Sequence, residues 1–547
     1  MSQTDIRHPA DRPQRQRALD PTGSFICEAP AGSGKTELLT QRVLTLLARV
    51  TKPESILAIT FTRKAAAEMR ARILGALAAG RGPEPQEAHA LQTWQLARDA
   101  LQADERYGWQ LLTNPSRLQI RTFDSLCAML TQALPLQSSL GAGVATTEDA
   151  QPLYKAAVKD LLDTLESEMP WADSLAQLLG HLDNRYSRLE ELLCKMLGSR
   201  DIWLPVLYQS QGMNTQGMTS PDALRDLLEY HLQHALIDKM TRLRELLPPE
   251  CHQTLAELGD FAAANLLREN IGSPINALHQ LGGLPECHPD HVPQWRGLAC
   301  LLLTNDGSWR KKLERRFGFP AGEGKDEKAV YKRRKESLLE LIAQLQEVPD
   351  LLEALQGINA WPAPTYNDQQ WQILQALTAV LPVLVAHLKL VFAARGEVDF
   401  VEISSRARQA LGDDQAPTEL ALRLDHRIQH ILVDEFQDTS FSQVDLLQRL
   451  TAGWQPGDGR TLFCVGDAMQ SIYGFRNANV GLFLHCKEHG LGGLPLEPLQ
   501  LTANFRSQAG VVEWINRVFQ RAFPARHNIS SGAVAFSPAE AFRPEIP

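Results

Sequence analysis

Two hydrophobic periodicities divide the chain. Over residues 24–130, short apolar runs of strand length alternate with helical patterns. Ser24–Glu28 (SFICE), Ile56–Phe61 (ILAITF) and Leu118–Phe123 (LQIRTF) precede helix-like segments at Lys35–Arg49, Arg63–Leu77 and Asp124–Leu134. Strands that alternate with helices are joined by crossovers, and crossovers build parallel sheets. Residues 131–395 have another texture: Leu, Ala, Gln, Glu and Arg at helical spacing, as in Leu153–Leu165, Leu224–Leu247 and Glu336–Leu355. Breaks fall near Pro248-Pro249 and Pro362–Pro364. Alternation resumes with Ile428–Asp434 (IQHILVD), Thr461–Gly466 (TLFCVG) and Leu499–Ala503 (LQLTA). After Val511 a helix opens and the sequence turns to Pro, Ala and Ser. The pattern predicts one α/β domain assembled from two separated segments, with a helical module between them.

Composition changes this picture little. A chain of 547 residues is long enough for roughly three or four domains. Its 44% hydrophobic and 22% charged content is ordinary for globular protein. No window is read as approaching the roughly 20 uninterrupted apolar residues of a membrane helix. Met1–Gln16 is polar and lacks an apolar signal core, so the expected setting is cytoplasmic, without a membrane partner. Cys27 and Cys464 fall in strand-like runs and read as reduced core thiols. The adjacent pairs Cys251-His252 and Cys287-His288 lack zinc-finger spacing.

The formal charge of −9 excludes a protein coated in basic residues, yet leaves room for nucleic acid along one groove. The strongest positive cluster is Trp309–Lys335, containing WRKKLERRFGF and KAVYKRRK. With Trp309, Phe317, Phe319 and Tyr331 interleaved, it reads either as a DNA-contacting surface with stacking rings or as a solvated helix face.

Candidate chemistry lies at strand ends. Ala29-Pro30-Ala31-Gly32-Ser33-Gly34-Lys35-Thr36 follows a strand and opens a helix, the context of a phosphate-binding loop. Small residues let backbone N–H groups face phosphates, and the helix N-terminus adds positive potential. Lys35 is expected to reach the β- and γ-phosphates of ATP, and the Thr36 hydroxyl to bind Mg²⁺. Ala29 stands where the general pattern has Gly. Asp434 and Glu435 end the IQHILVD strand, where α/β sheets bind ligands. Asp434 is the expected Mg²⁺ carboxylate, and Glu435 the expected general base for an attacking water.

In order, the chain carries GSGKT, TFTRKAAAEM, TFDS, VDEFQDT, VGDAMQSIYGFR and LTANFRS. This series resembles superfamily 1 helicases of the UvrD/Rep type. The large helical insertion and the phrase EAPAGSGKTELLTQR are more similar to the RecB/AddA branch. The motifs cover residues 24–130 and 396–510 densely; residues 131–395 match by position and helical character.

The resemblance implies a P-loop NTPase with a RecA-like parallel sheet, domain 1A, in residues 1–130 and 396–510. Residues 131–395 would form the helical insertion, domain 1B, and residues 511–547 the start of a second motor domain, 2A. It implies an ATP-dependent DNA helicase or translocase of 3′→5′ polarity, acting on single-stranded DNA in recombination or double-strand-break repair. ATP and Mg²⁺ are the implied cofactors. The implied partners are DNA, as single strand and duplex junction or end, and a heteromeric nuclease/helicase protein of the AddB or RecC kind.

Residue by residue, Gln470 matches the γ-phosphate-sensing glutamine and Arg506 an arginine finger. Thr60, Phe61, Thr62, Lys64 and Thr122 match DNA-gripping positions, and Tyr473, Phe475 and Arg476 a second DNA cluster. Gln14 matches the adenine-reading glutamine in one register and Gln16 in another. Phe505 stands where a tyrosine commonly stacks on adenine, and Glu37 where related helicases often carry arginine. Later helicase motifs and a nuclease-like acidic constellation are not found after Val511, so the expectation is an N-terminal part of a longer motor. The alternative is a non-motor ATP- and DNA-binding module acting through a partner chain.

Overall fold

The computed structural model describes residues 9–133, 145–212, 221–322, 324–412, 417–472, 478–524, 526–529 and 532–543. The chain divides into two compact units. One comprises Met1–Thr164, Tyr186–Pro205 and Pro382–Pro547, the other Leu165–Arg185 and Val206–Leu381.

The first unit is built on β1 (Phe25–Glu28), β2 (Ile56–Thr60), β3 (Gln119–Thr122), β6 (His430–Val433), β7 (Thr461–Gly466) and β8 (Glu497–Gln500). Two short pairs accompany them: β4 (Ala145–Thr146) with β5 (Glu397–Val398), and β9 (Ala503–Gln508) with β10 (Glu540–Arg543). The main sheet runs β3-β2-β6-β7-β1-β8, every pair parallel. The two sequence segments therefore interleave, with β6 and β7 seated between β2 and β1. Burial follows this order. The inner strands β1, β2, β6 and β7 are buried at every residue, as strands covered on both faces must be, whereas the edge strands β3 and β8 are only partly buried.

The helix Lys35–Leu47 buries Leu38, Leu39, Val43, Leu44, Leu46 and Leu47 against a core that includes Phe25, Cys27, Ala58, Phe463 and Val465. Each fully buried side chain of this size contributes about 1.5–3 kcal/mol. Arg42 from the same helix is also buried. It donates to the carbonyls of Ala18, Asp20 and Gly23, satisfying a turn that the sheet cannot pair.

Several elements differ from the sequence expectation. A helix at Ala88–Tyr107 precedes β3, and the buried Trp109 after it donates from Nε1 to the Thr51 carbonyl at 3.1 Å. The run Leu499–Ala503 is not one strand. β8 stops at Gln500, and the amides of Thr502 and Ala503 donate instead to Asp11 Oδ2 at 2.9 and 3.0 Å. The helix expected after Val511 is present and spans Ala509–Ala522, but the Pro-, Ala- and Ser-rich sequence behind it returns as β10 beside β9. Glu336–Leu355 is broken into Lys325–Leu345 and Leu351–Gly357, where Pro349 removes a donor and Asp350 takes a left-handed backbone.

The helix Asp368–Arg395 has an 18-residue window of mean hydropathy 2.0, so it is long and apolar enough to cross a membrane. Gln375, Thr378, His387 and Lys389 interrupt it, so it holds no run of roughly 20 uninterrupted apolar residues. Its Val380, Leu384, Leu388 and Phe392 are buried within the protein.

The second unit is narrower than residues 131–395. The helices Gln151–Leu162 and Tyr186–Gly198 lie in the first unit, as does Arg200. Buried charge accounts for this. Arg200 donates to both oxygens of Asp399, at 2.6 and 2.7 Å, and Tyr154 donates to the same carboxylate at 2.5 Å.

In the second unit, Leu236, Met240, Leu258, Trp295, Leu298, Leu338 and Leu345 form one core. Phe319 and Tyr331 from the basic stretch join its buried residues, and the Arg310 guanidinium lies 3.6 Å from the Phe317 ring centroid. Helical spacing explains the split: Tyr331, Leu338, Leu341 and Leu345 face inward, while Lys332 and Arg333 are exposed. The stacking surface expected of Phe319 and Tyr331 is thus not presented.

Candidate functional site

The phosphate-loop candidate crosses from β1 to the helix Lys35–Leu47. Its first amide continues the sheet, Ala29 donating to the Gly466 carbonyl at 2.8 Å. Gly32 and Gly34 take left-handed backbone, at φ 80° and 76°. Gly32 also has no room for a side chain, since a Cβ there would stand 2.8 Å from Asn504 Oδ1 and 2.9 Å from Arg506 Cβ. Gly34 sits at the helix N-cap and offers no side-chain cap, leaving first-turn amides open to an anion. The Ser33 hydroxyl is buried without a hydrogen-bond partner among the described residues. A cradle of glycines, open amides and an orphaned hydroxyl suits a phosphate chain.

At the end of β6, Asp434 donates its amide to the Ile59 carbonyl at 2.9 Å. Lys35 Nζ lies 2.5 Å from Glu435 Oε1 and 3.6 Å from Asp434 Oδ1. Glu435 holds a left-handed backbone, φ 55°, and donates its amide to Asp434 Oδ1 at 3.0 Å. Burial pushes the Asp434 carboxyl up to about 6, with Lys35 opposing the rise and Glu435 adding to it.

Gln437 ties this acidic turn to β7. Its Nε2 donates to Glu435 Oε2 at 2.9 Å and to Asp438 Oδ2 at 3.2 Å, while its Oε1 accepts the Asp467 amide at 3.0 Å. The approach depends on Gly466, where a Cβ would stand 2.3 Å from Gln437 Oε1. Gln470 donates to Asp467 Oδ2, so an unbroken chain of side chains and backbone joins Gln470 to Glu435. Burial raises both Asp438 and Asp467 above the usual carboxylate range. Among the described residues no group of three or more His, Cys, Asp or Glu side chains is placed to hold a metal ion by itself.

β9 closes the other side of the loop. Phe505 donates its amide to the Gly32 carbonyl at 2.8 Å, and Asn504 Nδ2 donates to the Ala31 carbonyl at 3.2 Å. Arg506 is exposed beside Gly32. From the helix Arg12–Ala18, the side chain that reaches the loop is Arg15, whose Nη2 donates to the Ser33 carbonyl at 2.6 Å. Gln14 and Gln16 are both exposed. Gln437, Asp467, Asp11 and Arg15 carry no sequence-based assignment; polar residues flanking the recognised motifs were the available signal.

The DNA candidates gather at the ends of β2 and β3, where Thr60 and Thr122 are register partners. Their hydroxyls serve the backbone. Thr60 donates to the Thr62 carbonyl at 3.1 Å, Thr62 accepts from the Ala65 amide at 3.1 Å, and Thr122 accepts from the Ser125 amide at 3.1 Å. Phe61 is half-buried and Lys64 exposed. Beside them opens a cavity of about 550 Å³ whose lining includes Arg63, Arg70, Arg121, Ser116 and Thr122 and, among the described residues, no carboxylate. Tyr473, Phe475 and Arg476 lie outside the described residues.

A parallel sheet with a glycine-bearing loop after one strand, and an acidic pair after the strand two places away, defines a P-loop domain of the RecA-like kind. Within that class the chain belongs to the UvrD/REP helicase family, matching its N-terminal domain over residues 10–490. It is similar to a named subunit of the ATP-dependent helicase/nuclease of Desulfitobacterium hafniense, 28% identical over 98% of this chain and 37% of the relative. The protein of the same name from Moorella thermoacetica is 28% identical over 96% of this chain and 36% of that protein. That from Levilactobacillus brevis is 26% identical over 93% and 38%. The chain thus spans less than two-fifths of the length of these relatives.

Proposed function

We propose that this chain is the ATP-hydrolysing part of a DNA helicase that moves 3′→5′ on single-stranded DNA in recombination or break repair. The observation that carries the proposal is the contact of Lys35 with Glu435 and Asp434, set against a loop with open amides and an orphaned Ser33 hydroxyl. The backbone from Ala29 to Thr36 would hold the phosphates of ATP, with Lys35 as their counter-charge. Thr36 and Asp434 would hold Mg²⁺, which when bound neutralises charge on the phosphates. Glu435 would orient and deprotonate a water. Gln470 would report on the γ-phosphate position through Asp467 and Gln437, and Arg506 would stabilise charge on the transferred group.

DNA would lie across Thr60, Phe61, Thr62, Lys64 and Thr122, with Tyr473, Phe475 and Arg476 completing the contact. The carboxylate-free cavity with Arg63, Arg70 and Arg121 supports that placement. The domain scheme assigns residues 1–130 and 396–510 to motor domain 1A, residues 131–395 to insertion 1B and residues 511–547 to the beginning of 2A. A sheet built jointly from β1–β3 and β6–β8 supports the first assignment. The relatives' shared name makes each of them one subunit of a helicase/nuclease, which supports a second, different polypeptide in the role of partner. Free cysteines, most of them buried, fit a cytoplasmic setting.

The test is ATP turnover by the purified chain with and without single-stranded DNA. DNA-stimulated hydrolysis that Lys35→Ala abolishes is the expected result. Nucleotide binding without turnover on any DNA would leave a non-motor binding module acting through a partner.

A further inference from the structure

Resting on the ATP and DNA readings above, we propose that Glu28 and Lys487 are a positioning pair: their contact fastens the helix Val480–His489 to the foot of the phosphate loop, and through it bound nucleotide and bound DNA tighten each other's binding.

Glu28 is the last residue of β1, directly ahead of Ala29. Strand alternation decides where its side chain goes. Phe25 and Cys27 join the core beneath the helix Lys35–Leu47, so Ile26 and Glu28 face the other side of the sheet. There the Glu28 side chain is enclosed, 3% exposed, and Oε2 accepts Lys487 Nζ at 2.6 Å. Its register partner on β7 is Gly466, the residue before Asp467. Burial raises the Asp467 carboxyl, and the charge of Glu28 adds to the rise, so the two carboxylates sense each other.

The helix that carries Lys487 is held at two places. Near its start the Asn479 amide donates to the Thr439 carbonyl at 3.1 Å, and the Phe483 ring lies 6.2 Å from that of Phe436, which fixes it to the acidic turn. Near its end Lys487 fixes it to β1. Lys487 sits in the last turn, where the helix dipole favours a cation. One short helix thus spans from the acidic turn to the strand that feeds the phosphate loop. In the sequence it begins shortly after Arg476, so in the reading above DNA meets residues just ahead of it. This path is separate from the one that joins Gln470 to Glu435 through Asp467 and Gln437.

The pair is not built as a structural one. Asp399, the buried acid beside Tyr154, has both oxygens taken, by Arg200, Tyr154 and the Glu402 amide. Glu28 Oε1 is buried with no partner among the described residues. A buried ion pair adds little stability over a matched apolar pair, whereas withdrawing one partner leaves an uncompensated charge. When Lys487 withdraws, a bare carboxylate stands at the foot of a loop that must accept polyphosphate. Nucleotide therefore binds best with Lys487 in place, and DNA that holds the helix there tightens nucleotide binding. Linkage makes the effect mutual.

The experiment is binding of a fluorescent, non-hydrolysable ATP analogue with Mg²⁺ to the whole chain, with and without saturating oligo(dT), and thermal melting to verify folding. In wild type, oligo(dT) should tighten analogue binding about fivefold or more. Lys487→Met leaves Glu28 bare and should weaken analogue binding even without DNA. Adding Glu28→Gln removes the bare charge. Affinity without DNA should then return to within about threefold of wild type, while the effect of DNA stays below about twofold. Lys487→Arg keeps the charge and should keep the coupling. A purely structural pair would lower the melting temperature and leave the coupling alone. A double variant as strongly coupled as wild type, a double variant that does not fold, or a wild type that DNA tightens less than about twofold overturns this assignment alone. Analogue binding that survives Lys35→Ala overturns the ATP reading, and a chain that does not bind oligo(dT) overturns the DNA reading; either takes this assignment with it.

Discussion

Asn504 grips the phosphate loop and β9 with the two ends of one amide: Nδ2 donates to the Ala31 carbonyl, while Oδ1 accepts the N–H groups of Arg506 and Ser507, each at 2.9 Å. The loop that would seat the phosphates and the residue that would touch the transferred one therefore share a single anchor. Asn504→Ala should weaken nucleotide binding about fivefold or more and lower the melting temperature by a few degrees, since it strands two partly buried amides. Titration with a fluorescent nucleotide and a thermal melt measure both. If neither moves, the anchor is dispensable.

Glu435 and Asp434 share Lys35 yet are given different work. Glu435→Gln keeps the shape of the side chain and its contact with Gln437, while removing the base. Nucleotide affinity should change by no more than a few fold, and DNA-stimulated turnover should fall by about 10²–10⁴. Comparable losses in affinity and turnover would argue that Glu435 holds the nucleotide instead.

Gln437 predicts a paired outcome. Gln437→Ala leaves Glu435, Asp438 and the buried Asp467 amide without their common partner, at a cost of about 1–3 kcal/mol. Gly466→Ala should do comparable damage from the opposite strand, because its Cβ would displace the Gln437 amide. Urea midpoints of the two single variants and the double variant test this. Losses that simply add would mean the two positions act separately.

His430 sets a pH dependence with a definite sign. Burial pushes its imidazole from 6.5 down to about 4, with Arg42 adding to the drop. Below about pH 6.5 the unfolded chain binds a proton that the folded chain refuses. The stability is therefore full above the unfolded value and declines as pH falls toward the folded one, by roughly 3 kcal/mol in all and roughly 2 kcal/mol between about pH 7.5 and pH 5. Asp434, pushed up by burial, works in the opposite sense over an overlapping range. The informative quantity is thus the difference between wild type and His430→Gln. The variant should lose less stability on acidification; equal losses would place the titration elsewhere.

Much of this was legible in the sequence, for physical reasons that differ by element. β7 was read to the residue, because a fully buried parallel strand is an uninterrupted apolar run with turn residues at both ends. Lys35, Thr36, Asp434 and Glu435 came from local spacing, and the structure brings Lys35 to both carboxylates. Gln437 and Arg15 were missed because their roles come from partners distant in the chain, Asp467 for one and Ser33 for the other. Leu499–Ala503 was misjudged as one strand because hydropathy does not show that a side chain from residue 11 takes the amides of Thr502 and Ala503. The basic stretch gave the opposite error: its aromatic residues suggested stacking on bases, but helical spacing turns Tyr331 into the core.

Charge at the sheet's β3 edge should appear in salt titrations. Lys64→Ala and Arg121→Ala should each weaken single-stranded DNA binding across sequences and reduce the slope of log K against log salt by roughly 0.7 per lost phosphate contact. Fluorescence anisotropy at several salt concentrations measures the slope. Slopes equal to wild type would take the DNA path away from this edge.

The position of β1 has a consequence for how the protein is made. Its neighbours in the finished sheet are β7 and β8, and its first residue, Phe25, pairs with Phe463, about 440 residues later. At a synthesis rate of roughly 5–20 residues per second, that partner emerges some 20–90 s after the strand itself. For that interval the apolar strand FICE and its glycine loop leave the ribosome with both flanks unpaired. The nascent chain, rather than the finished sheet, is thus the form in which this strand's backbone donors and acceptors stand open to wrong partners.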